Sequence, residues 1–514
     1  MEKILNSNRK LYLLLTLWSA VVLMLMSPDS PIHGPWNRID SAFFYMCGKA
    51  MMNGLQPYVD FADSKGPLLW LIYGVGYLLS PTSYTGVYVV SCFWYAGIFF
   101  FNFKTVELFL KDHRQSLLVT LLMAIPYFLY WFHFEVRAEN FATLPVAVSL
   151  FYMCRLLWGS GDAPAQPTTG KTAGTVRRCG LVLGGCFMAL VLMKWSIAAM
   201  QAVIILVALW HYWRVEHKLQ EAIMWIAVGA VAVALPFVVY LSLTGSFTAF
   251  IQEYFLNTIG TAEYGPQHIY IEDLQGGFAD SARLTQLAVM VFGSWLLGRR
   301  LSCYRYVPLL TGLFFHALAT VHYIYYYPGI SSIFAIYLFI GTFLHQQDRR
   351  LRTVHVGLVM AGIIGWGVLE NIREDSALHK VLRWNDRNVM DRYKEISAII
   401  SETRHARLLY LYSGEVGYGL DAEPLPAGKY WAYQLGAPPE MEREHIELLR
   451  SGKADYVIVS YEQRCSEKGF PRDYITSLGY SVCYQGTQGE ETAWSPLIVL
   501  YRKVRASKDE NEEE

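Results

Sequence analysis

Two carboxylates and an ammonium group stand just before an apolar run in the stretch PYVDFADSKGPLLW, residues 57–70. The ionisable side chains are Asp60, Asp63 and Lys65, and the apolar run begins at Pro67. A carboxylate at a membrane edge tends to have an altered proton affinity, because desolvation disfavours its charged form. The aspartates are therefore candidate general bases or metal ligands, if the run after them lies in or against a membrane.

The composition of the chain indicates the solvent in which it folds. The 514 residues are 54% hydrophobic, 15% aromatic and only 17% charged, which is too apolar for an ordinary soluble multi-domain protein. The formal net charge is zero, so no basic field favours a nucleic-acid partner. The eight cysteines show no CxxC or Cys/His metal spacing, and only Cys465 and Cys483, in the polar C-terminal part, are placed where they could pair. We expect a mainly α-helical, polytopic membrane protein.

Apolar runs, and the basic residues between them, predict the topology. Eleven runs are predicted to span the bilayer, near residues 11–26, 84–103, 116–132, 141–157, 180–193, 196–213, 222–243, 284–298, 306–321, 329–344 and 353–369. The first has a basic flank and no small-x-small cleavage site after it, so we expect an uncleaved span and a cytoplasmic N-terminus. The clusters of Lys and Arg then all fall in cytoplasmic connections.

Residues 67–80 are the run that this topology does not count as a span. The fourteen residues PLLWLIYGVGYLLS are short for a bilayer core, and a twelfth span here would put most basic clusters outside. An interfacial or re-entrant helix on the outer face is predicted instead. The chain then ends outside, which leaves everything after about residue 371 extracytoplasmic.

Ionisable and aromatic side chains gather on the predicted outer face. The first outer loop contains a predicted amphipathic helix over 38–52, which would lie on the membrane surface, carry Asp40 and end at Gly54. The later outer loops add a further set of side chains: Glu135, Arg137, Glu139, Lys194, His322 and Tyr323. Solvated anchors, a local salt-bridge cluster or an aromatic belt would account for members of this set. In the first loop, a helix, a polar turn and a half-buried helix would together build a pocket wall.

The order of these motifs resembles the GT-C superfamily of membrane glycosyltransferases, specifically the group related to protein O-mannosyltransferases and lipid A aminoarabinose transferases. NGLQPYVDFADSKGPL, residues 53–68, is similar to that group's first-loop pattern NG-x-x-PY-x-DF-x-x-x-K-P-P-L. LVLMKWS around Lys194, YFLNTIGTAEY at 254–264 and VHYIYYYPG at 321–329 look like its later landmarks. Two departures stand out. Asp40 is followed by Ser41 rather than a second acid, which puts a metal site there in doubt, and Ser64 and Gly66 replace the group's flanking histidine and proline.

The resemblance implies a GT-C-like bundle of about 11 transmembrane helices over residues 1–370, with interfacial helices in the first outer loop. It also implies transfer of a sugar from a polyprenyl-phosphate-linked donor to a hydroxyl of a lipid, glycan or protein acceptor, with inversion, outside the bacterial cytoplasmic (inner) membrane. The catalytic base is predicted to be Asp40, with Asp63 and Asp60 as reserves. The predicted phosphate contacts are Lys65, Arg137 and Lys194. The residues predicted to line the sugar or order the first loop are Glu139, His322 and Tyr323. A divalent metal ion is left open as a cofactor.

Residues 371–505 are predicted to form a small extracytoplasmic α/β domain. Its predicted elements are, in order, helix DRYKEISAIISE, strand ARLLYLY, helix PEMEREHIELLRSG, strand DYVIVS, helix PRDYITSLG and strands YSVCYQG and SPLIVLYRK. Gly414, Gly417 and Gly419 follow a strand without the GxGxxG spacing, so an acceptor-binding or lid role is favoured over a nucleotide site. Residues 506–514 are an acidic tail that we expect to be disordered.

Two other membrane functions stay open at this point. A transporter or flippase for lipid-linked glycans predicts ionisable residues within the spans and repetition between the halves, and neither is clear here. An O-antigen ligase-like enzyme would rely on outer-loop arginine and histidine more than on aspartate. A polyprenyl-phosphate sugar bound with its anomeric carbon near Asp40 would separate the three.

Overall fold

A computed structural model shows a helical part followed by a small C-terminal sheet. The structure describes residues 5, 7–27, 30–31, 39–124, 137–158, 173–258, 291–293, 295, 307, 310–314, 330, 332–345, 387–411, 416–432, 440–461, 470–487 and 497–504. The predicted domain boundary at 370, the acidic tail and Cys465 lie outside these residues.

Long apolar helices dominate the first half of the chain. In order they are α1 (Asn8–Met26), α2 (Ile39–Met52), α3 (Pro67–Leu79), α4 (Thr85–Leu110), α5 (His113–Leu122), α6 (Ala138–Trp158), α7 (Ala173–His211) and α8 (Leu219–Leu243). Within the described residues, helices α1, α4, α6, α7 and α8 are long and apolar enough to cross a bilayer, and all five coincide with predicted spans. The predicted spans near 116–132 and after residue 243 lie wholly or partly outside the described ranges.

Helix α3 is as short as predicted. Its 13 residues make it about 20 Å long, against about 30 Å of hydrocarbon in a bilayer. It starts with Pro67 in its first turn, where the missing proline N–H costs no helical hydrogen bond. Its buried side chains pack against α2 and α4.

Helix α2 differs from the predicted surface helix. Every residue from 41 to 50 is buried, including the polar Ser41 and Lys49, because α3 covers one side and the C-terminal domain another. Ser41 and Lys49 therefore lie inside the protein, whereas Asp40 at the start of the helix remains half exposed. The helix is followed, as predicted, by a turn at Gly54, whose φ of +81° is a left-handed conformation that glycine adopts without strain.

Helix α7 turns back on itself at Lys194, which has extended backbone angles (φ −159°, ψ 99°). A Cβ on Gly184 would lie 1.9 Å from the carbonyl oxygen of Ile226, so this half of α7 touches α8. In a straight helix Gly184 would be about 40 Å from His211. The residues from His211 to Ile226 are mostly helical and span only about 27 Å, so α7 must bend back for Gly184 to reach Ile226. The turn lies where the sequence predicts a short outer loop between the spans 180–193 and 196–213.

The segment after α8 leads towards the C-terminal domain. A short helix α9 (Phe247–Phe250) continues as a π-helical turn over Ile251–Leu256. Farther along, a 3₁₀ turn at Ser332–Ala335 precedes α10 (Ile336–His345), whose described side chains are all buried.

The C-terminal domain contains, among its described residues, one five-stranded mixed sheet. Its elements are α11 (Arg387–Ser401), β1 (Arg407–Leu411), β2 (Leu425–Pro426), α12 (Glu440–Ser451), β3 (Tyr456–Tyr461), α13 (Arg472–Ser477), β4 (Tyr480–Thr487) and β5 (Leu497–Lys503). The strand order is β2-β1-β3-β5-β4, with β1 parallel to β2 and β3, and β5 antiparallel to β3 and β4. The order of helices and strands is as predicted, apart from β2, whose two residues give no sequence pattern.

Both faces of this sheet are covered, because successive side chains in a strand point to opposite sides. Leu409 and Leu411 of β1 belong to a core shared with α12 and α13. Leu408 and Tyr410 belong instead to the core of the helical part. The C-terminal domain is therefore packed on the helices through one face of its sheet.

Candidate functional site

The described residues bring six of the nine predicted site residues together. Ion pairs join Asp40 to Arg137, Glu139 to Lys194, and Lys65 to Asp63. Arg137 stands two residues before Glu139, the Gly66 N–H donates to the Met193 carbonyl beside Lys194, and Lys65 lies over Phe44 of α2. We call this set the charge ring. It contains three carboxylates and three cations from four separate parts of the chain.

Asp40 lies in the first turn of α2, where the helix dipole favours a carboxylate. Its side chain is 47% exposed, and its Oδ2 is 3.9 Å from Nε of Arg137. Arg137, just before α6, is mostly buried. The pair is thus loosely held, and the carboxylate can be reached from outside the protein.

Glu139 and Lys194 form a close, buried ion pair. Nζ of Lys194 lies 2.5 Å from Oε1 of Glu139, and both side chains are largely shielded from solvent. A buried ammonium group without a carboxylate would be costly, so each residue accounts for the burial of the other. The turn in α7 is what brings Lys194 to the start of α6.

The turn at Lys194 leaves backbone N–H and C=O groups without hydrogen-bond partners in the helix. Two residues from other segments provide these partners. The hydroxyl of Tyr254 donates to the Val191 carbonyl at 2.5 Å and accepts from the Trp195 N–H at 2.9 Å. The N–H of Gly66 donates to the Met193 carbonyl at 2.9 Å. The backbone groups exposed at the helix break are thereby hydrogen-bonded by the first loop and by the segment after α8.

Gly66 lies too close to α7 for any side chain. A Cβ at this position would be 2.0 Å from the carbonyl oxygen of Leu192. The departure from the family pattern at Gly66 therefore lets the first loop touch the α7 turn. Neither this contact nor the role of Tyr254 was predicted; for Tyr254 the only sequence signal is its place at the start of YFLNTIGTAEY.

Lys65 and Asp63 complete the ring from the first loop. Nζ of Lys65 is 3.8 Å from Oδ1 of Asp63 and lies over the Phe44 ring, 5.6 Å from its centroid. Oδ1 of Asp63 also accepts from the Ser64 N–H at 2.7 Å. Its other oxygen, Oδ2, is buried and accepts no hydrogen bond from any described residue. Such an oxygen is available to a ligand hydroxyl, because an unpaired buried acceptor costs free energy.

Asp60 is engaged in a turn of the first loop. Its Oδ2 accepts from the Gln56 N–H at 2.7 Å, which closes the turn before it. The other two predicted site residues, His322 and Tyr323, lie outside the described residues, as does Glu135 of the second outer loop.

A second feature, a cleft of about 800 Å³, lies between Asp60 and the C-terminal domain. Its lining is rich in charges of both signs, including Arg407, Lys429 and Glu444. Burial raises the pKa of Glu444, which accepts from the Tyr430 N–H. We call this the polar cleft.

Lys429 stands between the polar cleft and the first loop. Its carbonyl accepts from the Ala62 N–H at 2.9 Å, and its ammonium group pairs with Glu253. Glu253 is buried and also accepts from the Tyr430 hydroxyl and from the Asn257 side chain, each at 2.9 Å. These contacts hold the C-terminal domain against the segment that carries Tyr254, and sequence reasoning did not single them out.

The fit of the ring to a metal ion can be judged from its side chains. In the described ranges, no three His, Cys, Asp or Glu side chains are grouped as metal ligands. The ring carboxylates face arginine and lysine instead, which compete with a bound cation. The described residues thus fit a metal ion poorly.

The fold as a whole is similar to that of solved structures. ArnT from Cupriavidus metallidurans, crystallised with undecaprenyl phosphate, is 13% identical over 95% of this chain and 97% of that one, with a TM-score of 0.55. The same protein in the apo state is 12% identical over 94% and 96%, with a TM-score of 0.51. No protein-family model and no curated protein matches the sequence. At this identity the likeness concerns the fold.

Proposed function

From the GT-C fold that the chain shares with ArnT, we propose that the protein transfers a sugar from a polyprenyl-phosphate-linked donor to an acceptor hydroxyl. The observation that carries the proposal is the charge ring, which combines three cations with three carboxylates, one of them the reachable Asp40. The ArnT structure with undecaprenyl phosphate adds support, since it shows that this fold can bind a lipid of the donor's class.

The chemistry of the transfer asks for both signs of charge. As the glycosidic bond breaks, negative charge develops on the departing phosphate and positive charge on the sugar, while the acceptor hydroxyl must lose a proton. Cations stabilise the phosphate, and one carboxylate near the acceptor suffices as a base, contributing about 10²–10⁴-fold. We infer that the reaction inverts the anomeric carbon, with the acceptor attacking opposite the phosphate.

The geometry favours particular roles within the ring. Asp40 is the proposed base, because it is more exposed than Asp63 or Glu139. Lys65 is the proposed main phosphate contact, because its 3.8 Å contact with Asp63 leaves its ammonium group less neutralised than that of Lys194. Glu139 then holds Lys194 in place. The free Oδ2 of Asp63 is proposed to accept a hydroxyl of the sugar.

We infer that the reaction takes place at the outer face of a bacterial cytoplasmic membrane. The basic residues between the predicted spans support this topology, and the short helix α3 is consistent with it. A site at that face would meet the head group of a lipid-linked donor without extracting its chain from the bilayer.

The polar cleft supports an acceptor-binding role for the C-terminal domain. Lys429 lines the cleft and is hydrogen-bonded to the first loop at Ala62. The cleft carries charges of both signs, which suit a polar acceptor better than an acyl chain. We propose that the acceptor binds there and offers its hydroxyl towards the ring. A lipid, a glycan or a protein could present such a group.

The test is a transfer assay with the full-length protein in liposomes that contain a polyprenyl-phosphate donor carrying a radiolabelled sugar. Label that moves into a hydroxyl-bearing acceptor from cell-envelope extracts supports a transferase. Label that crosses the bilayer and stays on the polyprenyl carrier would contradict it and support a flippase. A protein that moves whole oligosaccharides and depends on arginine but not on Asp40 would point to a ligase.

A further inference from the structure

Lys49 is a buried ammonium group that the proposed chemistry does not use. It lies in α2 with no exposed surface, and its Nζ donates a 2.7 Å hydrogen bond to the carbonyl oxygen of Leu420 in the C-terminal domain. The rings of Tyr45 and Tyr77 flank it, with centroids 5.2 and 5.8 Å from Nζ. It makes no direct ion pair within the described part of the chain.

The charged groups around Lys49 come from two sides. Tyr45 is on its own helix and Tyr77 on α3, while Asp421 and Glu423 belong to the C-terminal domain and favour the charged amine. Glu423 accepts a 3.4 Å hydrogen bond from the Tyr77 hydroxyl. An apolar residue would fill this space at lower cost, because a buried charge is stabilising only if it is well paired.

A second contact ties the same helix to the same segment. The ring of Phe43 stacks on Trp431 with centroids 4.7 Å apart. Trp431 and Leu420 both belong to residues 416–432, which we call the clamp segment. The clamp segment therefore contacts α2 at two residues, Phe43 and Lys49. Phe43 lies one helical turn from Asp40.

We propose that Lys49 is a positioning residue for the transfer: by tying α2 to the clamp segment, it holds Asp40 in the charge ring when the C-terminal domain is docked. This inference rests on the proposed function. Lys49 lies nine residues from Asp40, about 13 Å along the helix, and acts on it only through the backbone of α2.

The titration of Lys49 gives the proposal a signature. Burial lowers its pKa to about 7 from 10.5, against the opposing effect of Glu423 and Asp421. If the clamp segment separates from α2 and Lys49 becomes solvated, its pKa returns towards 10.5. At a pH between about 7 and 10.5, separation is therefore accompanied by protonation of Lys49. Docking of the clamp segment on α2 should therefore strengthen as the pH rises above about 7. Below about pH 7, the titration of Lys49 should no longer affect it.

The experiment compares wild type, Lys49→Met and the control Lys394→Met, which removes an exposed lysine of α11. Transfer kinetics should show about a tenfold lower kcat for Lys49→Met, with the KM for the donor little changed, because the base is displaced and donor binding is not. Hydrogen exchange in the clamp segment, corrected for intrinsic rates, should slow between pH 7 and 9 in wild type and in the control, but not in Lys49→Met.

A second variant, Glu423→Gln, keeps the proposal testable if Lys49→Met fails to fold. It keeps Lys49 but removes a carboxylate that favours its charge, so the pH at which protection begins to rise should fall. A wild-type kcat in Lys49→Met, or clamp protection that is independent of pH in wild type, would overturn the positioning role. A wild type that transfers no sugar would instead refute the proposed function, and the positioning role with it.

Discussion

The two ends of α2 use charge in opposite ways. Near its start, Asp40 is 47% exposed and 3.9 Å from Arg137, so its charge is loosely paired and reachable. Near its end, Lys49 has no exposed surface and donates directly to the backbone of the C-terminal domain. The difference indicates that one end of the helix is arranged to meet a ligand and the other to fix the helix. Substitutions at the two ends should therefore affect different quantities.

The largest effect is expected for Asp40→Asn, which keeps the shape of the side chain but cannot accept the proton of the acceptor. Sugar transfer should fall at least about 10²-fold, with thermal unfolding little changed because the side chain is half exposed. The matched control is Glu402→Gln, which removes an exposed carboxylate paired with Arg502. Near-normal turnover by Asp40→Asn would show that the ligand-facing end has been misassigned.

The buried pair of the ring should behave like the fixed end of α2. Lys194→Met leaves Glu139 charged, buried and without its partner, at a cost of about 3–5 kcal/mol in folding stability. The double variant Glu139→Leu with Lys194→Met should recover much of that loss, because no charge remains unpaired. Thermal unfolding in detergent measures both. Equal stability of wild type and Lys194→Met would mean that the pair does not hold the α7 turn.

Gly66→Ala tests how tightly the first loop must touch α7. The added methyl would overlap the Leu192 carbonyl, so the loop must shift, at about 1–3 kcal/mol and with a loss of transfer activity. Gly174→Ala is the control, since a Cβ there meets nothing within 4 Å. If Gly66→Ala is as active and stable as the control, Lys65 does not depend on this contact.

The smallest effect is expected for Tyr254→Phe. It removes only the hydroxyl that serves Val191 and Trp195 at the break, which should cost about 1 kcal/mol. Tyr12→Phe removes a hydroxyl that bonds Phe93 at an exposed position, and should cost less. Melting temperatures of the two variants, measured side by side, decide whether the break needs this partner.

Local patterns in the sequence predicted much of the architecture. Hydrophobic length identified those spans that the structure describes and the short helix α3, and alternation identified the order of the described C-terminal elements. The motif order grouped the six ring residues, although it also included Asp60, which the fold directs into the polar cleft. The predicted topology put these residues on one face, and the family resemblance was needed to assign them to one site, because nothing in the local pattern of Asp40 or Lys194 relates one to the other.

Contacts between distant segments were not predictable in this way. The helix over 38–52 has the polar residues of a surface helix, yet Lys49 is buried against a domain that starts more than 300 residues later. Lys49 therefore looks like a solvated lysine in the sequence. The roles of Gly66 and Tyr254 likewise depend on backbone groups that the turn in α7 exposes. The pattern of side chains in the sequence does not predict which backbone groups a turn will expose.

The most direct test of the account is a photo-crosslink from a polyprenyl phosphate that carries its reactive group near the phosphate, added to the full-length protein in liposomes. The account predicts labelled peptides from the first loop around Lys65 and from the start of α6 around Arg137, with labelling reduced in Lys65→Met. Labelling confined to the connections between α4 and α5 or between α7 and α8, on the predicted cytoplasmic side, would contradict it.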